Sequence, residues 1–149
     1  MTTDNAAVVR RLVDEVVNGG KLEVIDELVT NDYVYLDNAL GRFEGPDALK
    51  AIIGQSRQSF PDTVWTIEEQ VSDGDTVASR FTWTATHTKD FDILPASGKT
   101  MSVTVVSFDD FTNGRMRQTR MFRDDLRLLR QLGFVPERED LREEILQRG

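Results

Sequence analysis

The stretch MSVTVVSFDDFTNGRMRQTRMFRDDLRLLRQLG, residues 101–133, packs strand, turn, strand and helix into direct succession. Asn113-Gly114 divides two runs rich in β-branched and aromatic residues. A two-residue hairpin needs positive φ at its centre, and Asn and Gly tolerate it best. The spacing predicts antiparallel strands over 101–111 and 115–124. After Asp124-Asp125 the run DLRLLRQLG is helical and stops at Gly133, as helices often do. Two carboxylates thus meet at a strand-to-helix junction. Counting back from the hairpin sets Ser107 opposite Arg120 and Val103 opposite Asp124. Alternation puts Gln118, Arg120, Phe122 and Asp124 on one face. Asp125 points the other way and directly precedes the helix. It is the better N-cap, although either acid suits that role.

Upstream, TVWTIEEQVS (63–72) and TVASRFTWTATHT (76–88) read as two further strands joined by a DGD turn at 73–75, and DILPASGKT (92–100) as a loop. EGPDALKAIIGQSRQSF (44–60) reads as a helix with Pro46 in its first turn, where proline is tolerated. DYVYLDN (32–38) alternates as a strand. Before it stand two helices. The first, capped by Thr3 or Asp4, carries Val9, Leu12, Val13, Val16 and Val17 at helical spacing and ends at NGG, 18–20. The second is short and carries Leu22, Ile25, Leu28 and Val29. The tail VPEREDLREEILQRG (135–149) reads as a charged helix. The order implies an α+β fold, with helices segregated on one face of a curved sheet and a cavity between them.

The chain has 149 residues, the size of one domain, and a formal charge of −8. Its arginines are spread among acids, so no basic face for nucleic acid is expected. It has no cysteine and one histidine, His87, which excludes disulfides, thiolate centres and multi-histidine metal sites. SDGDT (72–76) and FDDF (108–111) lack the ligand spacing of a calcium loop and read as solvated turns. No apolar run approaches the ~18 residues of a membrane span. The opening MTTDNAAVVRRLVDEVV lacks the features of a signal peptide. The expectation is a soluble, cytoplasmic protein with no metal and no membrane or nucleic-acid partner.

NGGKLEVIDELVTNDYVYLDN, GPDALKAI, FPDTVWTIEEQVSDGDTVASRFTWTATHT, FDILPASGKTM and DDLRLLRQLG, in this order, resemble the SnoaL-like polyketide cyclases. These belong to the nuclear-transport-factor-like superfamily of cone-shaped α+β domains. The resemblance implies a curved antiparallel or mixed sheet with helices on its concave face, and an apolar pocket for a small hydrophobic molecule. It also implies no cofactor, and pairing of two copies through the outer sheet face. The implied reaction is an acid/base-assisted, aldol-type ring closure within one molecule. The family's acid stands just ahead of the LLRQLG-like helix, at Asp124. Asp37 is a second candidate. It shares a face with Tyr33 and Tyr35, and related steroid isomerases carry their proton-abstracting base at the end of that strand. A turn-forming Asp-Asn pair is the alternative.

The same resemblance suggests Tyr35, Arg80, Ser107, Arg120, Phe122 and Glu68 as substrate-binding residues. Glu68 with Asp37 would form the acid pair of an epoxide-opening enzyme. Glu68 or Glu69 paired with Arg80 is the structural alternative. Arg80 and Thr82 are placed inward by analogy, opposite Phe81, Trp83 and Ala85. Arg120 stands where the family often has tryptophan; it pairs with Asp37, binds a substrate carboxylate or lies solvated at the rim. His87 matches the family's THT and is expected to hold a loop. No tyrosine on the first helix serves an oxyanion, which argues against steroid isomerisation. The expected activity is polyketide-type cyclisation. The alternatives are an epoxide hydrolase or hydroxylase of the same superfamily, or a small-ligand-binding domain.

Overall fold

The computed structural model describes residues 4–136 and 141–148. Helix α1 (Asn5–Arg11) is capped by Asp4, whose Oδ1 accepts from the Ala7 N–H at 3.1 Å. It continues as a π-helical stretch, Leu12–Asn18, that turns Val13, Val16 and Val17 into the core. A 3-10 turn, Leu22–Val24, and α2 (Ile25–Leu28) lead into β1 (Val29–Asp37). A short hairpin adds β2 (Gly41–Glu44). Helix α3 (Pro46–Ser59) begins on its proline. The meander β3 (Val64–Asp73), β4 (Thr76–Thr86), β5 (Thr100–Thr112) and β6 (Arg115–Arg123) follows, then α4 (Asp125–Gln131) and α5 (Leu141–Gln147).

The strands form one open sheet in the order β2-β1-β6-β5-β4-β3. Neighbours are antiparallel except β1 and β6, which run parallel. The parallel contact joins the helical first half of the chain to the end of the meander. Val9, Val13 and Val16 of the N-terminal helix and Leu49 of α3 are buried together with Phe81, Trp83, Val103, Val105 and Met121 of the sheet. The expected α+β class with a mixed, curved sheet and helices on its inner face describes this arrangement. β2 was not anticipated: its sequence, GRFE, is too short to alternate and mostly exposed. Residues 137–140 and 149 of the expected tail helix lie outside the described residues. Among the described residues no helix is long and apolar enough to cross a membrane.

One irregularity decides which residues of β6 face inward. Close to the Asn113-Gly114 turn, Thr112 pairs with Arg115 and Phe111 with Met116, but Asp110 then pairs with Gln118. Arg117 is an extra residue, a β-bulge in β6. A one-residue slip exchanges the two faces of a strand. Ser107 therefore lies opposite Met121, not Arg120. The inward residues of β6 are Thr119 and Met121, with Arg123 largely enclosed after them. Gln118, Arg120, Phe122 and Asp124 do share a side, but it is the outer one.

Candidate functional site

Between the helices and the sheet lies a cavity of about 270 Å³. Its walls are mostly apolar: Val13 and Val17 from the N-terminal helix, Ile52 and Ile53 from α3, and Trp65, Phe81, Trp83 and Met121 from the sheet. Polar side chains interrupt this lining along α3 and the loops, at Gln55, Ser56, Arg57, Thr63 and Asp92, and in two groups on the sheet, one on β5 and the other where β1 and β6 end.

The first group centres on Asp109. It is 3 % exposed and lines the cavity. Ser107 Oγ donates to its Oδ2 at 2.9 Å and Thr119 Oγ1 donates to its Oδ1 at 2.6 Å. Tyr33, itself buried, donates its hydroxyl to Thr119 Oγ1 at 2.7 Å. Among the described residues no cation forms an ion pair with Asp109. Burial pushes its pKa up to about 6, against the opposing pull of the Thr119 and Ser107 hydrogen bonds. Asp109 is therefore a carboxyl group that can hold or release a proton near neutral pH.

The second group centres on Asp37, whose side chain is fully enclosed. Arg123 clasps it with Nη1 at 2.7 Å and Nη2 at 3.3 Å. Tyr35 donates to its Oδ2 at 3.2 Å, and the Ala39 and Leu40 N–H groups donate to Oδ1 at 2.8 and 2.9 Å. Burial favours the neutral acid, but Arg123 and those backbone donors outweigh it and hold the carboxyl below its usual value. The expected turn role is present, since Oδ1 organises the β1–β2 turn. A depressed pKa makes Asp37 a poor base. Tyr35 and Arg123 line the cavity beside it.

Several expectations fail because the inner face of β6, and separately that of β4, is the opposite of the expected one. Asp124 is exposed and caps α4, its Oδ1 accepting from the Arg127 N–H at 3.1 Å. Asp124 and not Asp125 is the cap, and it points away from the cavity. Arg120 does not reach Asp37, whose partner is Arg123; it lies on the outer face, paired with Asp110 at 3.2 Å and over the Phe108 ring at 5.8 Å. Phe122 is 47 % exposed beside it. Arg80 is exposed and bonded to Glu69 at 2.7 Å; Glu68 accepts from Thr82 on the same outer side at 2.8 Å. The inward residues of β4 are Phe81, Trp83 and Ala85, because the apolar set fills the core. Asp37 and Glu68 thus lie on opposite faces, and the proposed epoxide-opening pair does not converge.

Of the expected binding residues, Tyr35 and Ser107 do line the cavity. FDDF is not a solvated turn but part of β5, with Asp109 and Asp110 both buried. The signal for Asp109 was present: Val103, Val105, Ser107 and Asp109 alternate, so an inward Ser107 carries Asp109 inward with it. His87 is fully buried, stacked on Phe60 at 5.1 Å with Nδ1 3.1 Å from Ser97 Oγ. It ties down the 88–99 loop and stands outside the cavity lining. Among the described residues no three His, Cys, Asp or Glu side chains converge as a metal centre requires.

Comparison with solved structures agrees with this fold. A candidate SnoaL-like polyketide cyclase from Jannaschia sp. CCS1 superposes with a TM-score of 0.81 at 24% identity, over 89% of this chain and 93% of that one. AclR from Streptomyces galilaeus, a candidate hydroxylase, gives 0.82 at 23% identity over 97% and 90%. TsrD from Streptomyces laurentii gives 0.77 at 25% identity over 87% and 97%. A search of curated proteins finds no significant match. The SnoaL-like polyketide cyclase family profile matches residues 7–132, and with that span the chain belongs to the SnoaL-like polyketide cyclase family.

Proposed function

We propose that the protein closes a ring in a small, largely apolar carbonyl compound, with Asp109 as the proton-transferring group. The observation that supports this is a buried carboxyl, free of any cation, on the wall of an apolar cavity. A carbon between two carbonyls is already fairly acidic, so a base of pKa about 6 is well matched to it. The Asp109 carboxylate takes that proton and leaves an enolate. The enolate carbon attacks a second carbonyl of the same molecule, forming one C–C bond. The resulting alkoxide recovers the proton from Asp109. Product and substrate are isomers, and Asp109 ends as it began. The apolar walls hold the chain folded, which removes entropy from the barrier.

The test is turnover of a panel of linear poly-β-carbonyl esters, followed by chromatography with mass detection. Asp109→Asn is expected to lower kcat by 10²- to 10⁴-fold, the usual worth of a positioned acid or base. In the wild type, kcat/KM should rise with pH through about 6, as Asp109 becomes the carboxylate. Unchanged turnover in Asp109→Asn, or a flat profile between pH 5 and 7, removes Asp109 from the chemistry.

A further inference from the structure

On the sheet side of the cavity the polar groups stand at two separate points. Asp109 pairs with Thr119 across the β5–β6 ladder, and Arg123 stands four residues further along β6. At about 3.3 Å per residue these positions are roughly 13 Å apart. Between them the wall is Met121, with Phe81 and Trp83 alongside, and these offer no strong hydrogen bond.

Arg123 fronts the cavity, whereas its partner Asp37 is enclosed behind it and does not line it. A guanidinium has five N–H donors. Three are committed: two to Asp37, and Nε to Asp125 Oδ1 at 3.2 Å. Of the other two, one is engaged by the Tyr35 hydroxyl, and one remains. Asp37 and Asp125 more than offset the charge of Arg123, so the cluster has no excess positive charge to attract an anion. The oxygen of a neutral carbonyl is the natural acceptor for the remaining donor.

We propose that Arg123 is a second recognition point, and that the cavity takes elongated neutral compounds with oxygen acceptors near both ends. One end lies at Asp109, which donates in its protonated form since the Ser107 and Thr119 hydroxyls are committed to it, and the other lies at Arg123. This rests on the cavity reading above and adds the class and length of compound. Asp37 acts through Arg123 as a positioning residue, holding the guanidinium in one place.

The experiment is run at about pH 5, where Asp109 holds its proton and can donate, and compares 2,6-diacetylnaphthalene, with a carbonyl at each end, against 2-acetylnaphthalene, with one. Trp65 and Trp83, the two tryptophans of the chain, both line the cavity, so quenching of their fluorescence reports binding. The wild type is expected to bind the diketone about tenfold more tightly, the worth of one hydrogen bond to a charged group. Asp37→Asn/Arg123→Gln removes the charge pair as a unit and should bring the two affinities within about twofold. Arg123→Lys keeps the charge but not the fork, and should give an intermediate ratio. The ratio of the two affinities is read within each variant, so a general loss of stability does not imitate the effect. Equal affinities in the wild type, or a tenfold preference surviving in the double variant, overturn the inference while leaving the cavity reading intact. Failure of both probes to quench the wild type overturns both.

Discussion

Asp109 and Asp37 belong to the same concave surface, and both are nearly inaccessible, at 3 % and 5 % exposure. Their environments nevertheless set them in opposite states. Asp109 has hydroxyl partners only, and burial raises its pKa to about 6. Asp37 has an arginine and two backbone N–H groups, and its pKa is held down. Burial alone therefore does not mark a catalytic acid. What distinguishes the two is whether a fixed positive charge is present to stabilise the anion. A hydroxyl can rotate to donate to a carboxylate or accept from a carboxylic acid, so Asp109 keeps hydrogen-bond partners in both protonation states. A guanidinium cannot.

The contrast predicts that one substitution, Asp to Asn, has opposite effects on stability at the two sites. Asp37→Asn strips the partner from a buried guanidinium and should cost about 3 kcal/mol in urea unfolding at pH 7. The cost has a defined window. A depressed folded pKa means that Asp37 stabilises the fold above its unfolded value of about 3.9, and that this is lost as pH falls through the lower folded value. The difference between wild type and variant should hold above about pH 5 and shrink below about pH 4. An effect under about 0.5 kcal/mol at pH 7 would contradict a structural role for the pair.

Asp109→Asn should instead stabilise, by on the order of 2 kcal/mol at pH 8. Here the folded pKa lies above the unfolded one. Above about pH 6 the folded protein bears the cost of a buried charge that the unfolded chain does not. As pH falls from about 6 to about 4 the fold takes up a proton first, and the wild type gains. The advantage of the variant should therefore vanish near pH 4. Stability gained where activity is lost is the expected trade at a functional carboxyl. A variant less stable than the wild type at pH 8 would mean that Asp109 is held for structure.

The hydroxyls beside Asp109 sharpen the contrast further. Ser107→Ala removes a donor to the carboxylate, so the acid limb of kcat/KM should move up by roughly one pH unit. Thermal stability should change little, since a small cavity replaces one hydroxyl. A limb that stays in place would show that Ser107 does not tune the acid.

Most of the architecture was readable because it rests on local chemistry. Pro46 opens α3, Asn113-Gly114 makes a tight turn, and the alternation of β4 is regular from Thr76 to Thr86. The site was harder to read because it depends on which face of each strand is the inner one. Alternation groups residues into sets but does not say which set is inside. On β6 the extra residue, Arg117, moved the register by one, and the set containing Asp124 went outward. The unbulged register turns Arg120 and Asp124 inward with Ser107, whereas the bulged one turns Thr119 and Met121 inward and leaves the charges outside; alternation alone does not choose between them. On β4 the apolar set Phe81, Trp83 and Ala85 was the better guide, and analogy overrode it. The Asp37–Arg123 pair joins positions 86 apart through the parallel β1–β6 contact, which sequence spacing cannot reveal.

Asp124 gives the smallest effect and the sharpest contrast with Asp109. It stands at the junction where the family's acid was expected, yet its Oδ1 is spent on the Arg127 N–H and its side chain faces water. An N-cap satisfies a backbone donor that would otherwise lose its partner, and it places negative charge at the positive end of the helix. Asp124→Ala should thus cost about 1 kcal/mol of stability. Turnover should remain within about twofold of wild type, with the acid limb of the pH profile unmoved. Asp124→Ser keeps a capping oxygen but no ionisable group. If the cap is the whole role, serine recovers most of the stability and changes nothing in the pH profile. If instead serine restores stability while turnover stays low by a hundredfold, the carboxyl at 124 takes part in the chemistry, and the assignment of that role to Asp109 alone fails.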